Sequence, residues 1–420
     1  MITSCFRHSC LPSELILVIL APLLKDKNGD HSDINNYRPI DLATVISKVL
    51  EAVLLERCRD FLTTSDNQFA YKSNHGTDMP VHILKHIIEE YNNRKTPVFA
   101  CFMDMSKAFD KVSHKRLFNI LRKRNVPCYI IDLLMKWYKN QEMTVKWGHS
   151  FSGRFTTSCG VRQGSLLSPY LFIVYMDELS SNLKNIKVGC CIAGKILNHL
   201  FYADDIVLFA PSINGLQHLV NISHKYISDR LLTLNKNKTK CMIFSKSKIN
   251  IDKVSSVVIN ETNIEFVHKI KYLGYNFTPQ NSDDDHVEYL YRGLCVRGNM
   301  ILRNFSKCSF EVKKMLFKSF CISFYCLPFV LNVKQRTFNK LKVCYNDIFR
   351  RLMGVPRHSS ASALFVTQGL PSFPEVRRKN ITGYLQRIKI SPNEILMNIA
   401  HPVFLFNSLV FKHWSRLVFA

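Results

Sequence analysis

The chain has 420 residues, 47% of them hydrophobic, and carries 57 Lys plus Arg against 32 Asp plus Glu, a formal net charge of +25. The apolar share excludes a disordered chain and suits two or three packed subdomains. The basic excess runs along the whole chain and fits a surface tracking a polyanion, with nucleic acid ahead of an acidic membrane or a merely basic protein.

The 14 cysteines show no CxxC pair or Cys/His array with zinc spacing, so reduced thiols in the nucleus or cytoplasm are expected. Leu15 to Leu24 is too short to span a bilayer and is interrupted by Pro22; a buried strand is expected there, and not a signal-peptide core. No other stretch is long and apolar enough to cross a membrane. From Pro39 to Asp60 the pattern predicts a helix. Leu42, Val45, Ile46, Val49, Leu50, Val53 and Leu54 recur at threes and fours, with Lys48, Glu51 and Glu56 on the other side. Thr77 to Tyr91 predicts a second amphipathic helix.

Pro97 opens a predicted strand, Val98 to Met103, that ends on Asp104. A helix is expected at once, from about Lys107 through Arg122. Ser168-Pro169 joins a cap residue to Pro at the first helical position, which predicts a helix running to about Leu183. Phe201-Tyr-Ala-Asp-Asp-Ile-Val-Leu-Phe209 reads as a strand, a two-residue turn and a strand, with Asp204 and Asp205 at the tip. Asn214 to Leu232 predicts a helix, Thr239 to Ser245 a short strand, and Ile270 to Phe277 a strand and turn. Beyond Pro279 helical periodicity dominates, which places a subdomain boundary nearby.

Adjacent carboxylates such as Asp204 and Asp205 repel and raise each other's pKa, a conflict that a divalent cation removes. An Asp-Asp pair alone is more often a capped turn in water. Asp104 alone is better read as a helix-start acid favoured by the dipole. Together the three would form a ligand set if a central sheet sets their strands side by side. Such a set can hold two magnesium ions roughly 3.5–4 Å apart for in-line phosphoryl transfer. Gly160-Val-Arg-Gln-Gly-Ser-Leu-Leu-Ser-Pro169 is the second element. Gly160 and Gly164 would let backbone approach a ligand, and Arg162 and Gln163 supply donors. In isolation it is an ordinary glycine loop capping a helix.

Asp104 with Phe109-Asp110, then the Gly160 to Pro169 loop, then Phe201 to Phe209, resemble in order and spacing the three central motifs of reverse transcriptases from non-LTR, LINE-type retrotransposons, jockey-like elements in particular. The resemblance extends to Pro22-Leu-Leu-Lys25, Asn36-Tyr-Arg-Pro-Ile-Asp-Leu42, Gln68-Phe-Ala-Tyr-Lys72 with His75-Gly-Thr77, Leu234-Asn235 with Lys238-Thr-Lys240, and Lys271-Tyr-Leu-Gly274. It reaches past the domain in Glu311-Val-Lys-Lys-Met-Leu-Phe317, Tyr345-Asn346 and Phe349-Arg350.

The resemblance implies an α/β right-hand polymerase fold. Fingers would occupy 1–97, a palm on an antiparallel sheet 98–277 with a fingers segment at about 111–157, and a helical thumb and connection 278–420. It implies an RNA-directed DNA polymerase with an RNA template, a DNA primer or target and deoxynucleoside triphosphates as partners. The cofactor would be two Mg2+, with Mn2+ as the alternative ion.

By the same resemblance Asp104, Asp204 and Asp205, with the Met105 carbonyl as an extra ligand, would hold the metals. Phe109 would lie under the sugar and reject a 2′-OH, a role compatible with core packing. Arg38 and Lys72 would meet the triphosphate, though a solvated basic face explains each equally well. Gln163 and Gly164 would contact the nascent base pair and Arg162 the primer–template. Lys238 would assist the leaving pyrophosphate or hold template backbone. Tyr272 and Gly274 would position the primer end. Ala70-Tyr71-Lys72 departs from the family's Gly-Phe-Arg, and Lys cannot grip phosphate bidentately as Arg does. Residues 1–14 read as an arbitrary start just inside the fingers, so the chain is expected to be either a truncated copy or part of a longer protein that carries the family's endonuclease upstream. The rival expectation is therefore a decayed copy that at most binds nucleic acid.

Overall fold

The computed structural model describes residues 2–8, 11–192, 194–400 and 414–415. In chain order its principal strands are β1 (Leu17–Leu24), β2 (Tyr37–Leu42), β3 (Val98–Met103), β4 (Glu142–Trp147), β5 (His199–Tyr202), β6 (Asp205–Ala210), β7 (Lys240–Phe244), β8 (Ile270–Tyr272) and β9 (Tyr275–Phe277). Its principal helices are α1 (Val45–Cys58), α2 (Asp78–Asn93), α3 (His114–Lys123), α4 (Cys128–Asn140), α5 (Ser168–Lys184), α6 (Ile213–Asp229), α7 (Asp284–Asn304), α8 (Gln335–Leu352) and α9 (Phe373–Ile390).

The central sheet is antiparallel, in the order β5-β6-β3-β7. Its middle strand, Val-Phe-Ala-Cys-Phe-Met, is buried throughout because both faces of the sheet are covered. Side chains alternate between those faces. Phe99, Cys101, Met103, Ile206 and Leu208 join the core that includes Phe172 and Leu179 of α5 and Leu216 and Val220 of α6. Val98, Ala100, Phe102, Val207 and Phe209 join the core that includes Ile83 and Ile87 of α2 and Tyr384 of α9. The N-terminal sheet runs β2-β1-β4, with β1 antiparallel to β2 and parallel to β4. A third core, with Leu294 of α7, Tyr345 and Phe349 of α8 and Phe373 of α9, forms the helical C-terminal part.

That helical part is docked on α2 by buried and half-buried polar contacts. Lys85 pairs with Asp283, whose side chains are 6% and 0% exposed. Asp283 also accepts from the Tyr275 hydroxyl and from the backbone N–H groups of Leu331 (2.6 Å) and Asn332 (2.8 Å). His82 Nδ1 lies 2.7 Å from the Tyr384 hydroxyl, and Arg387 pairs with Asp78.

Several expectations need correction. The predicted helix from Pro39 begins only at Val45, because Tyr37–Leu42 pairs with β1. Its buried face is Ser47, Leu50, Glu51, Leu54 and Cys58, while Val45, Ile46 and Val49 are exposed. Hydrogen-bond donors from elsewhere in the chain satisfy Glu51 and draw that face inward. The first strand is mostly half-buried, with Leu23 55% exposed. No helix starts at Lys107, whose φ of +49° is left-handed; a 3-10 turn at Phe109–Lys111 intervenes, and Ser113 caps α3. In the acidic hairpin the turn residues are Ala203 and Asp204, with Asp205 already in the strand. The positive φ falls on Ala203 (+56°), whose N–H is held by Gln68 Oε1 at 3.1 Å.

Removing Asp283 strands Lys85 in the interior along with two backbone N–H groups. Asp283→Ala is expected to lower stability by about 3–5 kcal/mol in chemical denaturation. A loss below about 1 kcal/mol, typical of a surface pair, contradicts this account of the docking.

Candidate active site

Ile206 pairs with Met103 across the β6–β3 ladder, so the strand ends carry Asp205 and Asp104 to one edge of the sheet. The hairpin turn adds Asp204. The three carboxylates sense one another. Burial pushes Asp205 up to about 6, with further pressure from Asp204 and then Asp104, and Lys238 opposing. Asp204 is raised by burial and by Asp104, against its own backbone and Arg38. Asp104 is raised by burial, with Lys238 opposing. Asp104 is fixed through its backbone: its N–H reaches Thr239 Oγ1 (3.3 Å) and its carbonyl accepts from Asn235 N–H (2.8 Å). Met105 is held in a two-residue strand against Leu234.

Cations rim this edge. Lys238 is exposed beside Asp104 and Asp205, and Arg38 is exposed on β2 within reach of Asp204. Lys25 and Lys107, to which the resemblance assigned no role, complete the rim. Both bind Asn35, Lys25 through its carbonyl (2.8 Å) and Lys107 through its Oδ1 (3.1 Å). The Lys25 pKa is lowered by burial and then by Lys107, Arg38 and Lys238. Clustered ammonium and guanidinium groups beside carboxylates suit a polyanionic ligand that comes with its own cation.

Phe109 stacks on Phe172, with centroids 4.4 Å apart, and its carbonyl accepts from Val161 N–H (2.8 Å). Gln163 Nε2 donates to Asp110 Oδ1 (2.7 Å), and the Gln163 carbonyl accepts from Asp41 N–H (2.7 Å). Both glycines make close approaches to protein backbone on the side a Cβ would occupy. A Cβ on Gly160 (φ +94°) would meet the Asp110 carbonyl at 2.9 Å, and one on Gly164 (φ +117°) the Asp41 carbonyl at 2.8 Å. Tyr272 is buried near Asp205 and packs on Phe102 at 5.4 Å. Gly274 has φ +83°, and a Cβ there would meet Tyr325 at 3.2 Å.

Two expected contacts are not brought to the edge. Arg162 is buried, 5% exposed in its side chain, and paired with Glu51; its guanidinium lies 4.5 Å over Trp137. An inward ion pair replaces the expected primer–template contact. Lys72 turns to the carbonyls of Thr64 (3.1 Å) and Ser65 (2.6 Å), so its ammonium caps a loop. Its neighbour Tyr71, at φ +57°, is the one that senses Asp204. Among the described residues no three His, Cys, Asp or Glu side chains are gathered as they stand around one ion position. The donor chemistry nonetheless fits a hard cation: all-oxygen ligands, partly buried, with mutual repulsion that a cation would relieve.

Residues 25–277, more than half of the chain, match the family Reverse transcriptase (RNA-dependent DNA polymerase), and the chain belongs to it. It is 28% identical over 251 residues to the Pol polyprotein of the type-2 retrotransposable element R2DM of Drosophila melanogaster, covering 58% of this chain and 24% of that protein. It is 24% identical over 406 residues to the RNA-directed DNA polymerase from the mobile element jockey of Drosophila funebris, covering 91% of this chain and 42% of that protein. The chain thus spans less than half the length of these curated relatives. Its backbone is more distantly similar to apo telomerase from Candida tropicalis, at 13% identity and a TM-score of 0.47 over 98% of this chain and 68% of that one, too distant to bear on the site.

The wall of the site contains a testable titration. Asp41 is buried against Arg162, Asp110 and Glu51, and burial raises its carboxyl from 3.8 to about 7. A raised pKa stabilises the fold fully below the unfolded value, and that contribution is lost as pH rises through about 7. Asp41→Asn removes the dependence. The melting temperature of the variant relative to wild type is therefore expected to rise between pH 4.5 and 7.5 and then level off. A constant difference contradicts a buried, titrating Asp41.

Proposed function

We propose that this chain is the polymerase part of a non-LTR retrotransposon protein, extending a primer 3′-OH with deoxynucleotides on an RNA template. The observation that carries this reading is the gathering of Asp104, Asp204 and Asp205 at one sheet edge inside a rim of Lys25, Arg38, Lys107 and Lys238. In this reading 1–97 are fingers, 98–277 palm with a fingers segment at about 111–157, and 278–420 thumb and connection. The protein works in the nucleus or cytoplasm. No helix among the described residues is long and apolar enough to cross a membrane.

Asp104, Asp204 and Asp205, with the Met105 carbonyl, would hold two Mg2+, or Mn2+ in their place. When bound, such ions lower the pKa of an attacking hydroxyl and neutralise a leaving pyrophosphate. The remaining work falls to the chain. Arg38, Lys25 and Lys107 bind and orient the triphosphate through its oxygens. Lys238 stands where it can donate to a leaving phosphate or hold template backbone. Phe109, fixed by its stack on Phe172, presents a rigid edge to the sugar and excludes a 2′-OH. Gln163 and Gly164 border the nascent base pair, and Tyr272 and Gly274 the primer end. Sequence information comes from base pairing, while the protein reads backbone and shape with salt-sensitive affinity.

Primer extension on poly(A) with oligo(dT), dTTP and Mg2+ tests the reading. Wild type is expected to incorporate dTTP. Asp204→Asn is expected to lose at least the roughly 100-fold that even an outer-shell partner of a metal ligand can cost, while keeping its fold. A folded wild type that incorporates nothing overturns the polymerase reading, and an Asp204→Asn variant that extends normally overturns the metal assignment.

Sugar selection is a separate test. Phe109→Val is expected to relax discrimination against ribonucleotides by roughly 10–200-fold, the range a pocket contact of this size supplies. Unchanged selectivity removes Phe109 as the gate.

A further inference from the structure

The loop that carries Gln163 and Gly164 is held from behind by one acid. Glu51 lies on α1, a helix of the N-terminal part, and its side chain is 0% exposed. It accepts from the Arg162 guanidinium, from Ser165 Oγ (2.8 Å) and from Leu166 N–H (2.7 Å). Arg162 in turn lies over Trp137 and reaches Ser47 Oγ at 3.5 Å. Three donors from five consecutive residues therefore converge on one carboxylate.

The opposite side of the loop is tied to the residues that border the site. Gly160 N–H donates to Val112 O (2.8 Å), Val161 N–H to Phe109 O (2.8 Å), and Gln163 Nε2 to Asp110 Oδ1 (2.7 Å). Gln163 is thus suspended between Glu51 behind and the Phe109–Asp110 segment in front. Burying an ion pair is weak support for stability, since well-packed apolar side chains often serve as well. A buried pair is better suited to fixing one arrangement among several, and here the fixed object is the loop.

We propose that Glu51 is a positioning residue for nucleotide selection: it sets where Gln163 and Gly164 stand relative to Phe109, so the dNTP site depends on an acid that touches no substrate. This rests on the polymerase reading above. Glu51 acts through Arg162, Ser165 and Leu166, and its effect falls on the KM for dNTP and leaves primer–template affinity alone.

The test uses two variants of the full chain. Glu51→Met with Arg162→Met replaces the buried pair by apolar side chains, so no buried charge is stranded. Ser165→Ala removes one donor to Glu51 and is the milder change. The double variant is expected to raise KM for dNTP about tenfold, the factor that loss of one hydrogen bond to a charged group carries. Its primer–template Kd is expected to stay within about twofold. Ser165→Ala is expected to fall in between.

Hydrogen exchange supplies a readout that needs no activity. Amides of residues 160–166 are expected to exchange about tenfold faster in the double variant, with β3 and β6 unchanged. A folded variant with wild-type protection at 160–166 overturns the inference, whether or not the enzyme is active. So does a KM within twofold of wild type. If the double variant does not fold, the same two readouts on Ser165→Ala decide. An inactive wild type with the expected exchange pattern overturns the polymerase reading and leaves the clamp standing.

Discussion

The register of β6 against β3 is the constraint on which the site depends. Ile206 faces Met103, and a slip of one residue would send every side chain of one strand to the other face of a sheet covered on both sides. The cost of that slip is large because Phe99, Cys101 and Met103 fill one core and Val98, Ala100 and Phe102 the other. Apolar packing therefore fixes the relative position of Asp104 and Asp205, groups that would separate if left to their own electrostatics. The folded sheet holds three partly buried carboxylates together at the expense of raised pKa values, most clearly at Asp205.

Around that edge the chain divides its charges by depth. Lys25, Arg38, Lys107 and Lys238 line the rim. Arg162 and Lys85 are buried with acids of their own, Glu51 and Asp283. The first set lies beside the three carboxylates, and the second joins parts of the fold: Glu51–Arg162 ties α1 to the loop before α5, and Lys85–Asp283 ties α2 to the start of α7. Both kinds contribute to the same excess of basic residues in the composition, but they differ in exposure.

Periodicity made the central sheet legible, together with the helices Asp78–Asn93, Ser168–Lys184 and Ile213–Asp229. Val98 to Met103, the helix Ser168–Lys184 and the strand and turn at 270–277 are where the pattern put them, because each is a local apolar run. The helix, however, is capped by Ser165 Oγ, which accepts from Leu167 and Ser168 N–H (both 3.2 Å), and not by Ser168. The three acids were legible because their types and order are unusual together. What was not legible depends on partners distant in sequence. Glu51 looks like the polar side of α1 until Arg162, Ser165 and Leu166 are seen to converge on it. Lys72 looks like a phosphate ligand until the Thr64 and Ser65 carbonyls claim it. The helix expected from Lys107 fails on one residue's left-handed backbone, which the sequence of an ordinary lysine does not announce.

We propose that packing holds Asp104, Asp204 and Asp205 together so that they can take up a cation. Titration of Mn2+ against the wild-type protein and the Asp205→Asn variant, with the free ion followed by electron paramagnetic resonance, tests it most directly. The account predicts that wild type withdraws Mn2+ from solution and that the variant, folded and lacking one carboxylate, loses that binding. Equal binding by the two proteins would contradict it.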